Sequence, residues 1–319
     1  RRAPGQNALS TARKESDTVE IQSGFFNGFT TGTPLCARIV NSDQHSKDYS
    51  ILADKMRPGH ADYAGHVRYQ GFNDYRGGGH FSGRLTAPLV FAGAVAKQAL
   101  AQYGIVVGSH ILQINDIQEE RFNPMGVSDE ELAELHAKKF AVMDDAVGEK
   151  MQERILQAKS ELNSVGGVVE AIALHLPAGI GAPYFDSVES MLSHALFSVP
   201  AVKGIEFGDG FGFAGLTGAE ANDALHYVDG KVQALTNHNG GVTGGITNGM
   251  PLVVRVAIKP TPSIAREQQT VSLKEQSDTT LAIVGRHDPC IVQRAVPVIE
   301  AVVAWTLWDL LLEAKKWEK

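Results

Sequence analysis

Between Arg57 and Arg84 the chain gathers groups that handle anions. The run Arg57-Pro58-Gly59-His60-Ala61-Asp62-Tyr63 is followed by Asn73-Asp74-Tyr75-Arg76-Gly77-Gly78-Gly79-His80-Phe81-Ser82-Gly83-Arg84. It holds several cations, two histidines besides His66, and a glycine loop that leads into an apolar helix pattern. Backbone N–H groups and the dipole at such a helix start favour an anion. Guanidinium forks bind phosphate or carboxylate bidentately, and a histidine can hand a proton to a leaving phosphate. The same composition also describes a solvated loop with turn glycines.

Other segments offer narrower chemistry. Asn237 to Gly249 is rich in glycine and amide groups, which suits backbone contact with a polar planar ligand but equally a β-hairpin with glycine turns. Arg286-His287-Asp288 precedes Pro289 and an apolar helix pattern. Asp288 could be a simple N-cap there and Arg286 a surface ion pair. Gly210 to Gly215 fits G-x-G-x-x-G, but it runs into the polar stretch Leu216–Asp223 rather than the apolar helix that a dinucleotide fold needs. That weakens a nucleotide-dependent dehydrogenase reading, which has no other support. No P-loop, no His-Glu-x-x-His and no Gly-x-Ser-x-Gly elbow occurs. His45, His66, His110, His136, His175, His194 and His226 have no constellation around them and read as structural.

The elements that must position these groups follow from pattern. Thr18–Val40 alternates apolar and polar residues around glycine turns and reads as antiparallel strands. Leu85–Tyr103 reads as a helix with Pro88 in its first turn and Gly104 at its stop. Ser128–Glu131 is a capping box opening an amphipathic helix in two pieces to about Asn163. Gly167–Leu176, Val202–Phe207 and Leu252–Lys259 read as strands, and Val188–Phe197 and Arg294–Lys315 as helices. Gly79–Arg84 and Gly285–Pro289 each lead into a Pro-containing apolar helix, an echo consistent with a pseudo-two-fold core.

With 319 residues the chain could bury a sizeable core. No Pro/Ser linker divides it, so residues 1–319 read as one domain. With 29 basic and 36 acidic residues its formal net charge is −7. Such a chain is a poor non-specific nucleic-acid binder, and any anion site must be a local cluster of cations. Cys36 and Cys290 are its two cysteines. They form neither a disulfide framework nor a CxxC motif, as expected in a reducing compartment. The longest mostly apolar run, Ala87–Ala96, is too short to cross a membrane.

Taken together, the motifs resemble chorismate synthases. Arg57–Asp62 is similar to the family's RPGHAD motif. Gly79–Ala96, with Ser82, Gly83, Arg84 and Thr86, is similar to its S-[AG]-R-x-[ST] signature. Lys203–Phe211, Asn237–Gly249, Lys259-Pro260 and Gly285–Cys290 (GRHDPC) resemble further family segments in the same order.

The resemblance implies an α+β fold, a β-α-β sandwich with long central helices between antiparallel sheets. It implies a lyase that converts 5-enolpyruvylshikimate 3-phosphate to chorismate and phosphate by anti 1,4-elimination, the last common step of the shikimate pathway in aromatic amino acid biosynthesis. Reduced FMN is the implied cofactor, with NADPH only where flavin reduction is intrinsic. The implied setting is a cytoplasmic homotetramer that takes a small phosphorylated substrate and contacts no nucleic acid or membrane.

Carried onto this sequence, the resemblance makes His60 a catalytic histidine that holds or gives the proton of the reduced flavin. It makes Asp288 the carboxylate that helps remove the substrate's C6 proton. Arg2, Arg57, Ser82, Arg84 and Arg286 become substrate contacts. Ser82, Asn237, Lys259, Ser263, Arg286 and Asp288 become flavin contacts, and no metal site is implied. The family's opening GESHG segment, with its second catalytic histidine, is not in this sequence, so part of the domain is expected before residue 1. That departure motivates an alternative, a degenerate or truncated phospholigand-binding paralogue without turnover. His80 stands where the family varies and is an accessory group at most. Ala8 and Thr11 fall where some members carry further substrate arginines.

Overall fold

Alternation along the strand Gly167–Leu174 sets the architecture. Val169, Ala171 and Ala173 face the larger apolar cluster, while Ile172 and Leu174 face a smaller one with Phe122, Leu132, Leu135 and Val253. Both faces of this sheet are therefore covered, and its strands are apolar almost throughout. The structure, a computed structural model, describes residues 1–5, 9–10, 15–41, 51–283 and 287–315. Arg286 lies outside the described residues, as do Ala8, Thr11, Arg13, Lys14 and His45.

The sheet has five antiparallel strands in the order Ile117–Gln118, Val106–Ile114, Gly167–Leu174, Leu252–Ile258, Val202–Phe207. Its helical face packs against Thr86–Ala101, Val188–Phe197 and Val292–Lys315. Leu192, Leu196, Ile299, Val302, Val303 and Leu307 are fully buried there. Each such side chain contributes roughly 1.5–3 kcal/mol by leaving water. Helix Asp129–Ala137 covers part of the other face. The remaining strands pair two by two among the described residues, including the Val19–Ser23/Cys36–Ile39 ribbon expected in Thr18–Val40.

The expected α+β class is that of the structure, and local signals place its elements well. Ser128 Oγ accepts from Glu131 N–H at 3.1 Å and Glu131 Oε2 accepts from Ser128 N–H at 2.7 Å, the reciprocal pair of a capping box. The two helical pieces after it run Asp129–Ala137 and Asp145–Ser160. The first central helix ends at Ala101, and Ile105 N–H donates back to Leu100 O across Gly104, whose φ is 72°.

That helix and Val292–Lys315 cross closely. A Cβ built on Gly93 would lie 2.2 Å from Ala301 Cβ, so only glycine allows this approach. Val292–Lys315 is long and apolar enough to span a bilayer, but 67% of its apolar window is buried within the protein.

One row of the sheet is charged and buried. His110, Glu170, Arg255 and Glu206 lie directly opposite one another on four adjacent strands. Glu170 is 3.0 Å from His110 Nε2 and 3.1 Å from Arg255 Nη1, and Arg255 Nε is 2.6 Å from Glu206. Glu119 takes the other imidazole nitrogen. Burial works against charge on His110, yet bonds to Glu119 and Glu170 more than offset it and hold its pKa above the ordinary value. His110 is thus a structural cation, and sequence spacing alone gave no sign of its partners.

Gly210–Gly215 forms a short 3-10 turn, with no long apolar helix opening behind it. The Asn237–Gly249 segment contains a hairpin, Val242–Thr243 against Ile246–Thr247.

Candidate active site

The Arg57-Pro58-Gly59-His60 run is a tight turn. His60 N–H donates to Arg57 O at 3.2 Å, and Gly59 has φ 71°, which suits glycine at the third position after proline at the second. This turn brings three side chains together. Arg57 Nε donates to Asp62 Oδ2 at 2.7 Å and Nη2 donates to Oδ1 at 2.8 Å, a bidentate pair. The Arg57 backbone N–H donates to Oδ2 at 3.1 Å and Nη1 donates to Ser263 Oγ at 3.1 Å. His60 Nδ1 lies 2.7 Å from Asp62 Oδ1. Burial pushes the Asp62 carboxyl up, but bonds from Arg57 and His60 overcome this and hold it well below the usual range.

His60 and Arg57 face a cleft of about 700 Å³, within the range of small-molecule sites. The starts of the two crossing helices form one side. Ser82, Gly83, Arg84 and Thr86 come from the first, and His287, Asp288, Ile291 and Arg294 from the second. The sheet edge and the loop after Ile258 supply the other side through Lys203, Lys259, Thr261 and Ser263, with Phe197–Ala201 between. Arg2, Pro4 and Glu15 border it as well. The cleft therefore sits where helix N-termini and strand ends converge, a place that favours bound anions.

Its cations are held by carboxylates. Arg2 and Arg84 both pair with Asp17, one on each oxygen, and Arg84 Nη1 is 3.1 Å from Glu15. Burial raises the Asp17 pKa, but bonds from Arg84 and Arg2 leave it lowered overall. Arg294 pairs with Asp288 and donates from Nε to Arg2 O at 2.8 Å. Lys259 donates to Gly59 O; burial and then the charge of Lys203 lower its pKa. Ser82 Oγ accepts from Arg84 N–H at 3.2 Å, which fixes the turn before the helix.

Of the residues singled out in the sequence, Arg2, Arg57, His60, Ser82, Arg84, Lys259, Ser263 and Asp288 line this cleft, as does His80. Asn237 lies elsewhere. Its Nδ2 donates to Pro124 O and Pro251 O, at 2.7 and 2.9 Å, and its Oδ1 accepts from Gly241 N–H at 2.7 Å. Within the chain it anchors the glycine hairpin and is 3% exposed. Arg57 lines the cleft with its Nε and Nη2 on Asp62 and its Nη1 on Ser263.

Lys203, Arg294, Glu15 and Thr261 are cleft residues that motif reading missed, although Lys203 sits in a quoted segment. Cys290 is buried, and burial pushes its thiol up to about 12, which removes it as a nucleophile.

The cleft fits a phosphorylated planar group. The Thr261 hydroxyl is buried in its wall without a hydrogen-bond partner among the described residues. Lys203 and Lys259 both line the cleft, and burial and then the charge of Lys203 work against a proton on Lys259, which an anion would relieve. The cleft's apolar wall at Phe197 and Val199 suits a ring.

Comparison with known proteins gives one result throughout. The family model described as chorismate synthase matches residues 1–312. The chorismate synthase of Thermococcus gammatolerans is 48% identical over 317 residues, covering 99% of this chain and 87% of that protein. Those of Pyrococcus abyssi and Korarchaeum cryptofilum are 47% and 44% identical, each covering 99% of this chain and 87% and 86% of their own lengths. A solved structure described as a crystal structure of chorismate synthase aligns with a TM-score of 0.72 at 30% identity, covering 93% of this chain and 78% of that one.

Proposed function

The chain belongs to the chorismate synthase family, lyases that form chorismate from a phosphorylated precursor, and we propose that the cleft between Arg84 and Lys259 binds that precursor beside reduced FMN. The observation that carries this is the convergence of Arg2, Arg84, Arg294, Lys203 and Lys259 on one cleft in a chain of net charge −7. 5-Enolpyruvylshikimate 3-phosphate carries one phosphate and two carboxylates. Phosphate or carboxylate oxygens would take the places that Asp17 and Glu15 occupy on Arg84 and Arg2, exchanging one charge-assisted pair for another.

The reaction breaks the C6–H and C3–O bonds and leaves a new double bond and free phosphate. Asp288, held by Arg294, is the carboxylate to receive the C6 proton. Arg84 and Arg2 stabilise charge on the departing phosphate. Reduced FMN, when bound, supplies electron density transiently as phosphate leaves, with no net redox change. Lys259, Ser263 and Ser82 would hold it, and His60 would hold or give a proton at its cleft-facing nitrogen. Arg286 and Asn237 keep their assignments to ligand contact only by resemblance. The same reading extends to a cytoplasmic homotetramer, with NADPH as a further ligand where the flavin is reduced on the protein. The non-catalytic paralogue is not favoured, because the relatives named chorismate synthase match along nearly the whole chain.

Two variants test the division of the cleft. Arg84→Ala raises the substrate KM at least tenfold and leaves the flavin Kd within about threefold, since a charge-assisted bond contributes about 1.5–3 kcal/mol. Lys259→Ala weakens flavin binding instead. If both variants bind flavin and substrate like the parent, the cleft is not the site.

A further inference from the structure

We infer that Asp62 is a positioning residue for the reaction: it fixes the tautomer of His60, with Nδ1–H turned inward to the carboxylate and Nε2 presented to the cleft. This deepens the reading of His60 given above and rests on it. The argument is one of donors and acceptors. Asp62 is 8% exposed and receives three hydrogen bonds from Arg57, at 2.7, 2.8 and 3.1 Å. A carboxylate clamped in this way stays ionised and can only accept. The His60 nitrogen 2.7 Å from Oδ1 must therefore be the donor. Arg57 Nη2 also approaches that nitrogen, at 3.1 Å. An unprotonated Nδ1 cannot serve both Nη2 and the ionised Asp62: its bare lone pair would face the Oδ1 lone pairs at 2.7 Å, so Nδ1 carries the proton, and Nη2 donates to Oδ1, 2.8 Å away.

The consequence concerns Nε2. With Nδ1–H committed, a neutral His60 has its lone pair on Nε2, and a charged His60 has its transferable proton there. A neutral histidine side chain in water prefers the opposite tautomer. Without Asp62 the ring would tend to offer N–H where the site needs an acceptor, and it would also be free to rotate. Arg57 acts one step further back, by holding Asp62 in line. This accounts for a cleft arginine whose Nε and Nη2 are committed to Asp62. It also explains why the turn places Arg57, His60 and Asp62 so close in sequence. Pro58 and Gly59 reverse the chain, and the short helix Asp62–Arg68 starts at the carboxylate itself.

The test is Asp62→Asn on the full chain, together with His60→Ala and the double variant. The amide keeps the shape but can donate, which permits the wrong tautomer. In hydrolases built on a Ser-His-Asp triad the equivalent change costs about 10⁴-fold in turnover, and a loss of 10²- to 10⁴-fold in kcat is expected here with substrate KM within about threefold. In the His60→Ala background the same change should cost less than about threefold, because Asp62 would have no histidine left to orient. ¹⁵N NMR of the imidazoles should show His60 protonated at Nδ1 in the parent and shifted toward Nε2–H in Asp62→Asn. If Asp62→Asn fails to fold, Asp62→Glu keeps the charge for Arg57 while displacing it from the ring, and the same readings apply. Equal losses with and without His60, or an unchanged His60 tautomer, overturn the role of Asp62. Near-normal turnover of His60→Ala overturns the reading of His60 itself, whatever Asp62→Asn does.

Discussion

Gly93→Ala probes how the core builds the site. The two helices that cross at Gly93 together deliver one side of the cleft, Ser82–Thr86 from one and Asp288–Arg294 from the other. The new methyl carbon would lie 2.2 Å from Ala301 Cβ, 2.4 Å from its Cα and 2.8 Å from its carbonyl oxygen. Comfortable carbon–carbon contact needs about 3.5–4.0 Å, so the helices must part by more than about 1 Å. Overpacking of this kind costs about 1–3 kcal/mol, against a gain of roughly 1 kcal/mol from replacing a helical glycine by alanine. The net expectation is a loss of up to about 2 kcal/mol in stability. Activity should suffer more. A parting of the helices by about 1 Å changes the spacing of Arg84 and Arg294 within that side, and misplacement on that scale costs about 10²-fold in rate. Urea unfolding and kcat/KM on the same preparation measure both, with Gly215→Ala, which meets nothing within 4 Å, as the control. A Gly93→Ala protein as stable and as active as the parent would refute the claim that the helix crossing sets the cleft.

Three further outcomes follow from charges outside the cleft. Glu300 is buried in the last helix beside Lys97, Arg1 and His136, and although burial raises its pKa, these partners hold it down at about 2. A carboxyl with a depressed folded value adds stability above its unfolded pKa and loses it as pH falls through the folded one. The parent should therefore lose up to about 3 kcal/mol from this group between roughly pH 4.5 and pH 2, and Glu300→Gln should show a shallower acid dependence in urea midpoints. His110→Phe leaves Glu119 and Glu170 without their shared cation and should destabilise by about 3–5 kcal/mol in the same assay. Because its raised pKa means that His110 contributes most below the ordinary histidine value, the parent's advantage over His110→Phe should shrink as pH rises.

Much of this fold was legible because its signals are local. The capping box at Ser128, the glycine stop at Gly104 and the apolar strands each depend on neighbours within a few residues. Pairing was not legible. Nothing in the spacing of His110, Glu170, Arg255 and Glu206 announces that sheet register sets them side by side. The same limit applies to the cleft. Motif residues such as His60, Arg84 and Lys259 line one cleft together, but Lys203, Arg294 and Glu15 become cleft residues only through tertiary packing. Arg57 lines the cleft, but its pairing inside the turn was not legible. Its residue type suggests ligand binding, whereas its geometry gives it to Asp62. Asn237 is similar, since an amide in a glycine-rich loop suits a ligand and equally suits the backbone of its own hairpin.

The central claim is tested most directly by anaerobic turnover of the purified full chain with 5-enolpyruvylshikimate 3-phosphate and chemically reduced FMN. Chorismate and phosphate should appear in equal amounts while the reduced flavin is not consumed. No chorismate, or flavin oxidised in step with product, would contradict the account.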